Sequence, residues 1–259
     1  MKEYQTIQYA LECKVARVTL NRPEVHNAFN DRMISELIEA FEEIATKEEI
    51  RAVVLTGNGK SFCAGADLNW LRSVKDFSYE ESLKETLQLG KLVNRIYTLP
   101  QPTIARVNGS AIGGGTGFVA VCDFSVAVNS SQFSFSEVKI GVIPACISPY
   151  ILKRVGEKSC REFFLTGERL TADRVLEAGL INEVVEEEKL DEAVEKRIDQ
   201  LLSGGPKAIT ACKNLLREIP GMDLEDAVNY TARLLAELRR GEEAQEGMSA
   251  FLEKRKPNW

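Results

Sequence analysis

Apolar positions along the chain fall into two rhythms, and their order sets the expected architecture. Met33, Ile34, Leu37, Ile38, Phe41 and Ile44 recur at three- and four-residue spacing and share one face of a helix, with Asn30 or Asp31 placed to cap it. Ser78 followed by Glu81 forms a capping-box signature, which starts a second helix through Leu83, Leu87, Leu92, Val93 and Ile96. Pro100 and Pro102 stop that helix. Shorter runs read as strands: Thr6 to Tyr9 with Val15 to Leu20 as a pair, then Arg51 to Thr56, Thr103 to Val107, Phe124 to Val128 and Gln132 to Ser136. Beyond Pro144 the pattern turns helical, with Glu157 to Leu165 and Thr171 to Ala178 as short helices and an extended Leu180 to Val185 after Gly179. From Leu190 onward the chain reads as helix, broken at Gly204-Gly205-Pro206 and Pro220-Gly221. Alternating strands and helices followed by helices alone predict an α/β core with a helical C-terminal part.

Two small-residue loops interrupt this pattern, each after a strand and before a helix. The first is Gly57-Asn58-Gly59-Lys60-Ser61-Phe62-Cys63-Ala64-Gly65-Ala66-Asp67-Leu68. The second runs from Arg106-Val107-Asn108-Gly109 through Gly113-Gly114-Gly115-Thr116-Gly117 into the apolar run Phe118 to Cys122. Glycine lets backbone N–H groups approach a ligand without interference from a Cβ, and a helix N-terminus favours negative charge. That geometry suits a phosphate or an oxyanion hole. Neither loop ends in the Gly-Lys-Ser/Thr of a P-loop, and neither has the spacing of the dinucleotide fingerprint.

Composition narrows the function classes. The chain has 259 residues, one large domain or two small ones, and a net charge of −6 that argues against broad nucleic-acid binding. Lys254-Arg255-Lys256 remains a local basic patch able to grip a nucleotide-bearing ligand. No apolar stretch follows Met1 to Gln5 as a signal peptide requires, and no apolar run is long enough to span a bilayer. Six cysteines without a C-x-x-C pair and a single histidine argue against a zinc site. They read as reduced, mostly buried thiols in a cytosolic protein.

Taken together, the motifs resemble the crotonase family, also called the enoyl-CoA hydratase/isomerase superfamily, over nearly the whole chain. The resemblance rests on Asn21 through Ala28, Ser61 through Leu68, Val107 through Gly117 with Cys122-Asp123, Phe135 through Pro144, and Glu246 through Arg255. It implies a spiral of β-β-α units over residues 1–195, which binds the acyl-CoA and holds the catalytic site. It also implies a helical oligomerisation region over residues 196–259, assembling homotrimers or homohexamers. The substrate would be a coenzyme A thioester, with no metal or other cofactor, no nucleic acid and no membrane partner. By the same resemblance, the N–H groups of Ala66 and Gly114 form an oxyanion hole for the thioester carbonyl. Val25, Ala28 and Ala64 bind the CoA thioester, His26 lines the CoA entrance, Asp67 and Leu68 contact the adenine or ribose end, and Phe251 and Lys254 reach a neighbouring subunit's CoA.

Glu137 is the expected proton shuttle, at a strand end among apolar neighbours that would raise its pKa. Hydratases with two catalytic glutamates carry the other where this chain has Gly117. Two readings stay open: hydration of a 2-enoyl-CoA with Glu137 as the single acid, which the sequence favours, or isomerisation of a 3-enoyl-CoA to a 2-enoyl-CoA. A non-catalytic acyl-CoA-binding role is the third. Pro144 and the following Ala145-Cys146-Ile147-Ser148-Pro149-Tyr150-Ile151 resemble a bacterial subgroup acting on branched, methylglutaconyl-type acyl groups, with Cys146 lining the acyl pocket. Asp123 reads as structural.

Overall fold

The computed structural model describes residues 3–259. Met1 and Lys2, which open the segment inspected for a leader, lie outside the described residues. The first strands, β1 (Ile7–Glu12) and β2 (Val15–Leu20), pair antiparallel. Cys13 and Lys14 join them, both with positive φ (47° and 71°), as a two-residue turn matched to strand twist requires. Next comes α1 (Asp31–Ala45), capped by Asn30, whose side chain accepts from the Met33 N–H at 3.0 Å. All six apolar positions of the expected face are buried, each contributing roughly 1.5–3 kcal/mol of apolar burial.

Three β-β-α turns then stack on one another. The first is β3 (Ala52–Gly57), β4 (Ser61–Cys63), α2 (Leu68–Ser73) and α3 (Tyr79–Tyr97). The second is β5 (Thr103–Val107), β6 (Ser110–Ile112) and α4 (Gly114–Val121). The third is β7 (Phe124–Val128), β8 (Gln132–Ser134) and α5 (Ser148–Thr166). The long strands, with the three-residue β10 at one edge, form one sheet in the order β1-β2-β3-β5-β7-β10, and the other short ones form a second in the order β4-β6-β8-β9. Here β9 is Arg169–Thr171 and β10 is Glu183–Val185, with α6 (Ala172–Glu177) between them. Because β3, β5 and β7 pair in parallel, every turn returns to the same edge. The loops entering α2 and α4 therefore emerge side by side.

Several expectations need correcting. The strand predicted to reach Ser136 ends at Ser134, and Glu137 lies in the helical turn Ser136–Ile140, closed by Gly141 at φ 80°. The helix expected to begin at Glu157 begins at Ser148 and breaks at Gly156 (φ 73°, ψ 170°). The division expected at residue 195 falls inside α7 (Leu190–Leu202), whose Leu190, Val194 and Ile198 pack on Ile104 and Val126 of the long-strand sheet. The chain leaves that sheet at Gly204-Gly205. There α8 (Pro206–Glu218) begins, followed by α9 (Leu224–Arg240) and α10 (Glu242–Leu252). All six cysteines are free, and Cys63, Cys122 and Cys160 are buried. Cys13 and Cys212 are exposed, which the expectation of mostly buried thiols did not foresee.

Candidate active site

The two glycine-rich loops are locked together by close backbone approach. Gly65 sits so near the end of β6 that a Cβ there would lie 2.9 Å from the Ile112 carbonyl oxygen. One at Gly115 would lie 2.8 Å from the Cys63 Cβ, and one at Gly114 would lie 2.7 Å from the Phe29 ring. Asp67 and Gly113 commit their N–H groups to the carbonyls of Phe29 (2.9 Å) and Ser134 (2.8 Å). In α4 the Gly117 N–H closes the first turn back to the Gly113 carbonyl at 3.2 Å. The N–H of Gly114 therefore lies outside the intrahelical pattern, at the positive end of the helix dipole. Ala66 and Gly114 are half-buried, whereas their neighbours Gly65, Asp67, Gly113 and Gly115 are fully buried. The two expected donor residues are thus less buried than these immediate neighbours.

Glu137 faces this loop. A Cβ on Gly113 would lie 3.1 Å from the Glu137 Oε1, so only glycine (φ 54°) admits the carboxyl so close. The Glu137 Oε2 is buried without a hydrogen-bond partner. Burial pushes the carboxyl above the usual glutamate range, and a hydrogen bond from its own backbone N–H offsets only part of that. A base must be a carboxylate to accept a proton, so activity should fall as pH drops through this raised value. We expect the acid limb of the kcat/KM–pH profile to lie above the ordinary glutamate range near 4.5. An acid limb at or below that value would remove Glu137 from the proton-transfer step.

Gly117 has its own structural reason. A Cβ there would lie 2.9 Å from the Ile147 Cβ and closer still to its Cγ2, and Ile147 is 2 % exposed. The space a longer side chain would need is filled by the isoleucine. Sequence reading named both Gly117 and Ile147 but not their contact, because the two meet only through the fold of the segment after the buried Pro144.

The remaining expected residues fall into separate groups. The loop carrying Val25, His26 and Ala28 is clamped to the one carrying Ala64 and Asp67. The Ala64 N–H donates to the His26 carbonyl (3.0 Å) and the Phe29 N–H to that of Gly65 (2.8 Å). His26 adopts φ 54° and its Nδ1 meets the Ser61 Oγ at 3.1 Å. Asp67 is 5 % exposed, and its carboxylate is fully engaged. It pairs with Arg22 at 2.7 Å and caps α2 through the N–H groups of Asn69 and Trp70. Burial alone would raise its pKa, but Arg22 and these donors hold it below the usual range. Its side chain therefore fixes the loop, while Leu68 beside it is 71 % exposed. The Cys146 Sγ approaches the Thr86 carbonyl at 3.5 Å, and burial together with nearby Glu85 pushes its thiol up, away from the thiolate a nucleophile needs. Phe251 (82 % exposed) and Lys254 lie on the outer surface at α10 and just beyond it. Asp123, read as structural, accepts from the Thr103 N–H (2.7 Å) and pairs with Lys213 (2.6 Å). Sequence reading missed that lysine.

The family model described as enoyl-CoA hydratase/isomerase matches residues 11–259. The chain belongs to the enoyl-CoA hydratase/isomerase family. It is 34% identical over 247 residues to the short-chain-enoyl-CoA hydratase of Clostridium acetobutylicum, covering 95% of this chain and 94% of that relative. It is 32% identical over 247 residues to the 2,3-dehydroadipyl-CoA hydratase of Escherichia coli, covering 95% of each. Among solved structures, an enoyl-CoA hydratase from Shewanella pealeana superposes with a TM-score of 0.96 at 37% identity, covering 99% of this chain and 97% of that one. In this chain the paired loops and Glu137 lie close together near the N-terminal ends of α2 and α4. Among the described residues, no His, Cys, Asp and Glu group together as metal ligands, and no helix is long and apolar enough to cross a membrane.

Proposed function

We propose that this protein is an enoyl-CoA hydratase that adds water across the C2=C3 bond of a 2-enoyl-CoA with Glu137 as its single acid–base group. The observation that carries the reading is the Glu137 carboxyl packed against Gly113, one residue before the Gly114 N–H. The thioester oxygen would accept from the N–H groups of Ala66 and Gly114. Glu137 takes a proton from water as its oxygen bonds to C3, and the π electrons move onto the thioester oxygen as an enolate. The enolate then collapses, and Glu137 returns the proton to C2. One water is consumed, the C2=C3 double bond becomes single, and no redox cofactor is required. Loss of one oxyanion donor typically costs roughly 10²–10³ in rate, so the two N–H groups would carry much of the catalysis.

From Gly114 a chain of packed aromatic rings leads toward a surface groove. The Phe29 ring packs against Gly114, the Trp70 ring meets Phe29 edge-on at 5.9 Å, and Trp70 lines a groove of about 410 Å³ between α1, α2 and α3. We assign this groove to the acyl chain. Asp31, Glu81 and Glu85 line it against one cation, Lys84, an acidic balance that suits an uncharged short or branched acyl group better than a methylglutaconyl-type one. The CoA moiety would lie along the clamped loops at residues 25–28 and 64–68. In a trimer, Phe251 and Lys254 of one subunit would reach the CoA of the next. Leu216, Leu224, Val228, Phe251 and Leu252, exposed on α8 to α10, supply an apolar face for such an assembly. Free thiols suit the cytoplasm.

The test is mass spectrometry of an acyl-CoA panel incubated with the protein in H₂¹⁸O. The panel holds straight and branched 2-enoyl-CoAs, a methylglutaconyl-type thioester and 3-enoyl-CoAs. Gain of one labelled water by a 2-enoyl-CoA establishes hydration. Conversion of a 3-enoyl-CoA at unchanged mass, with no 2-enoyl-CoA hydrated, would make Glu137 an isomerase base.

A further inference from the structure

At the end of α4 away from the catalytic loops lies a cavity of about 230 Å³, lined in part by Lys153, Arg154, Lys213, Arg217 and Asp123. The eight-residue α4 runs from Gly114 to it, on the order of 10 Å of rise. Its charges do not balance. Asp123 is the one acid in the lining, and Lys213 already takes it at 2.6 Å while also donating to the Gln101 carbonyl at 2.8 Å. Arg154 spends its N–H groups on the carbonyls of Cys122 (2.7 Å), Asp123 (2.9 Å) and Leu180 (3.1 Å), which hold it in place but leave its charge uncompensated. Lys153 lies over the Tyr97 ring, 5.7 Å from its centroid. Arg217 gives Nη2 to the Asn214 side-chain oxygen at 2.6 Å, and its Nη1 is buried with no partner.

A buried guanidinium N–H without an acceptor is costly, and four cations around one acid repel one another unless another anion compensates. Burial lowers the Lys213 pKa, the Asp123 carboxylate offsets part of that, and the Arg217 charge adds a smaller lowering. We propose that this cavity is an anion site for one orthophosphate-sized dianion, with the Arg217 Nη1 and the Lys153 ammonium as its direct donors and Lys213 and Arg154 supplying the surrounding field. A dianion offsets most of the excess charge, and its oxygens match guanidinium geometry. The volume admits a free phosphate but not a whole nucleotide.

Isothermal titration with inorganic phosphate at matched ionic strength tests this on the full chain. We expect saturable binding of one phosphate per chain, weakened at least about tenfold by Arg217→Ala and to a smaller degree by Lys153→Gln, an exposed position whose change leaves the fold intact. Excess coenzyme A should leave phosphate binding unchanged, and both variants should keep wild-type turnover in phosphate-free buffer. Absence of saturable binding, binding indifferent to both substitutions, or displacement of phosphate by coenzyme A would each overturn the site. The last would place the phosphate in the CoA groove instead.

Discussion

Replacing Glu137 by Gln should lower kcat with 2-enoyl-CoA substrates by roughly 10²–10⁴, the usual contribution of a positioned acid–base group, with little change in KM. The amide keeps the shape of the carboxyl against Gly113 but can neither take a proton from water nor return one to C2. The neighbourhood makes the loss larger than at a solvated glutamate. The carboxyl is sheltered by Gly113 on one side, and its Oε2 is buried, so bulk water cannot substitute for it easily. No second carboxylate stands at position 117 to retain part of the rate. Binding should survive because the proposed oxyanion donors are main-chain groups of Ala66 and Gly114, which the substitution does not touch. Steady-state kinetics and thermal melting of the same preparation make the check. Unchanged turnover with every acyl-CoA in a properly folded variant would remove Glu137 from the chemistry and require another group to move the proton.

Much of this was legible in the sequence because it depended on local order. The α1 face could be counted from Met33 to Ile44, the capping box from Ser78 and Glu81, and the two loops from their glycines. What was not legible depends on residues remote in sequence. Strands β4, β6 and β9 have three residues each, mostly small or polar, and are strands only because each finds a partner in another turn of the spiral. No period of two develops in so short a run. Asp67 was expected to be a ligand contact because it sits in a loop proposed to bind CoA. Only the fold brings Arg22 within 2.7 Å and turns the carboxylate into the clamp of that loop. Lys213 and Arg154 look like surface charges on helical segments, yet α8 and α5 carry them into a shared cavity beside Asp123. The break at Gly156 was likewise invisible, since glycine within a helical pattern more often costs stability than changes direction.

Gly117→Glu should destabilise the fold and fail to create a two-acid site, although position 117 is where a second acid would be placed. The collision begins at the Cβ, so Gly117→Ala is the cleaner probe. On helix propensity alone, alanine would stabilise α4 by up to about 1 kcal/mol. Against Ile147 it should instead cost about 1–3 kcal/mol, the usual penalty for an added carbon in a packed core, and lower the melting temperature by several degrees. Ile147 has no room to swing away, being 2 % exposed and in the same core cluster as Phe118 and Phe135. Ile147→Gly alone should cost more, about 2–5 kcal/mol, through the cavity it leaves. Gly117→Glu combined with Ile147→Gly should be more stable than the sum of the two single changes predicts, because the new side chain occupies the volume the isoleucine vacates. A double-mutant cycle by denaturant unfolding would read that coupling as favourable by at least 1 kcal/mol or so. A Gly117→Ala variant as stable as the parent, or additive effects across the cycle, would mean that Ile147 yields easily. The single-acid arrangement would then owe nothing to packing at this position. Favourable coupling would instead identify the Gly117–Ile147 contact as what confines acid–base chemistry to Glu137, since either residue alone resists the change that would admit a second carboxylate.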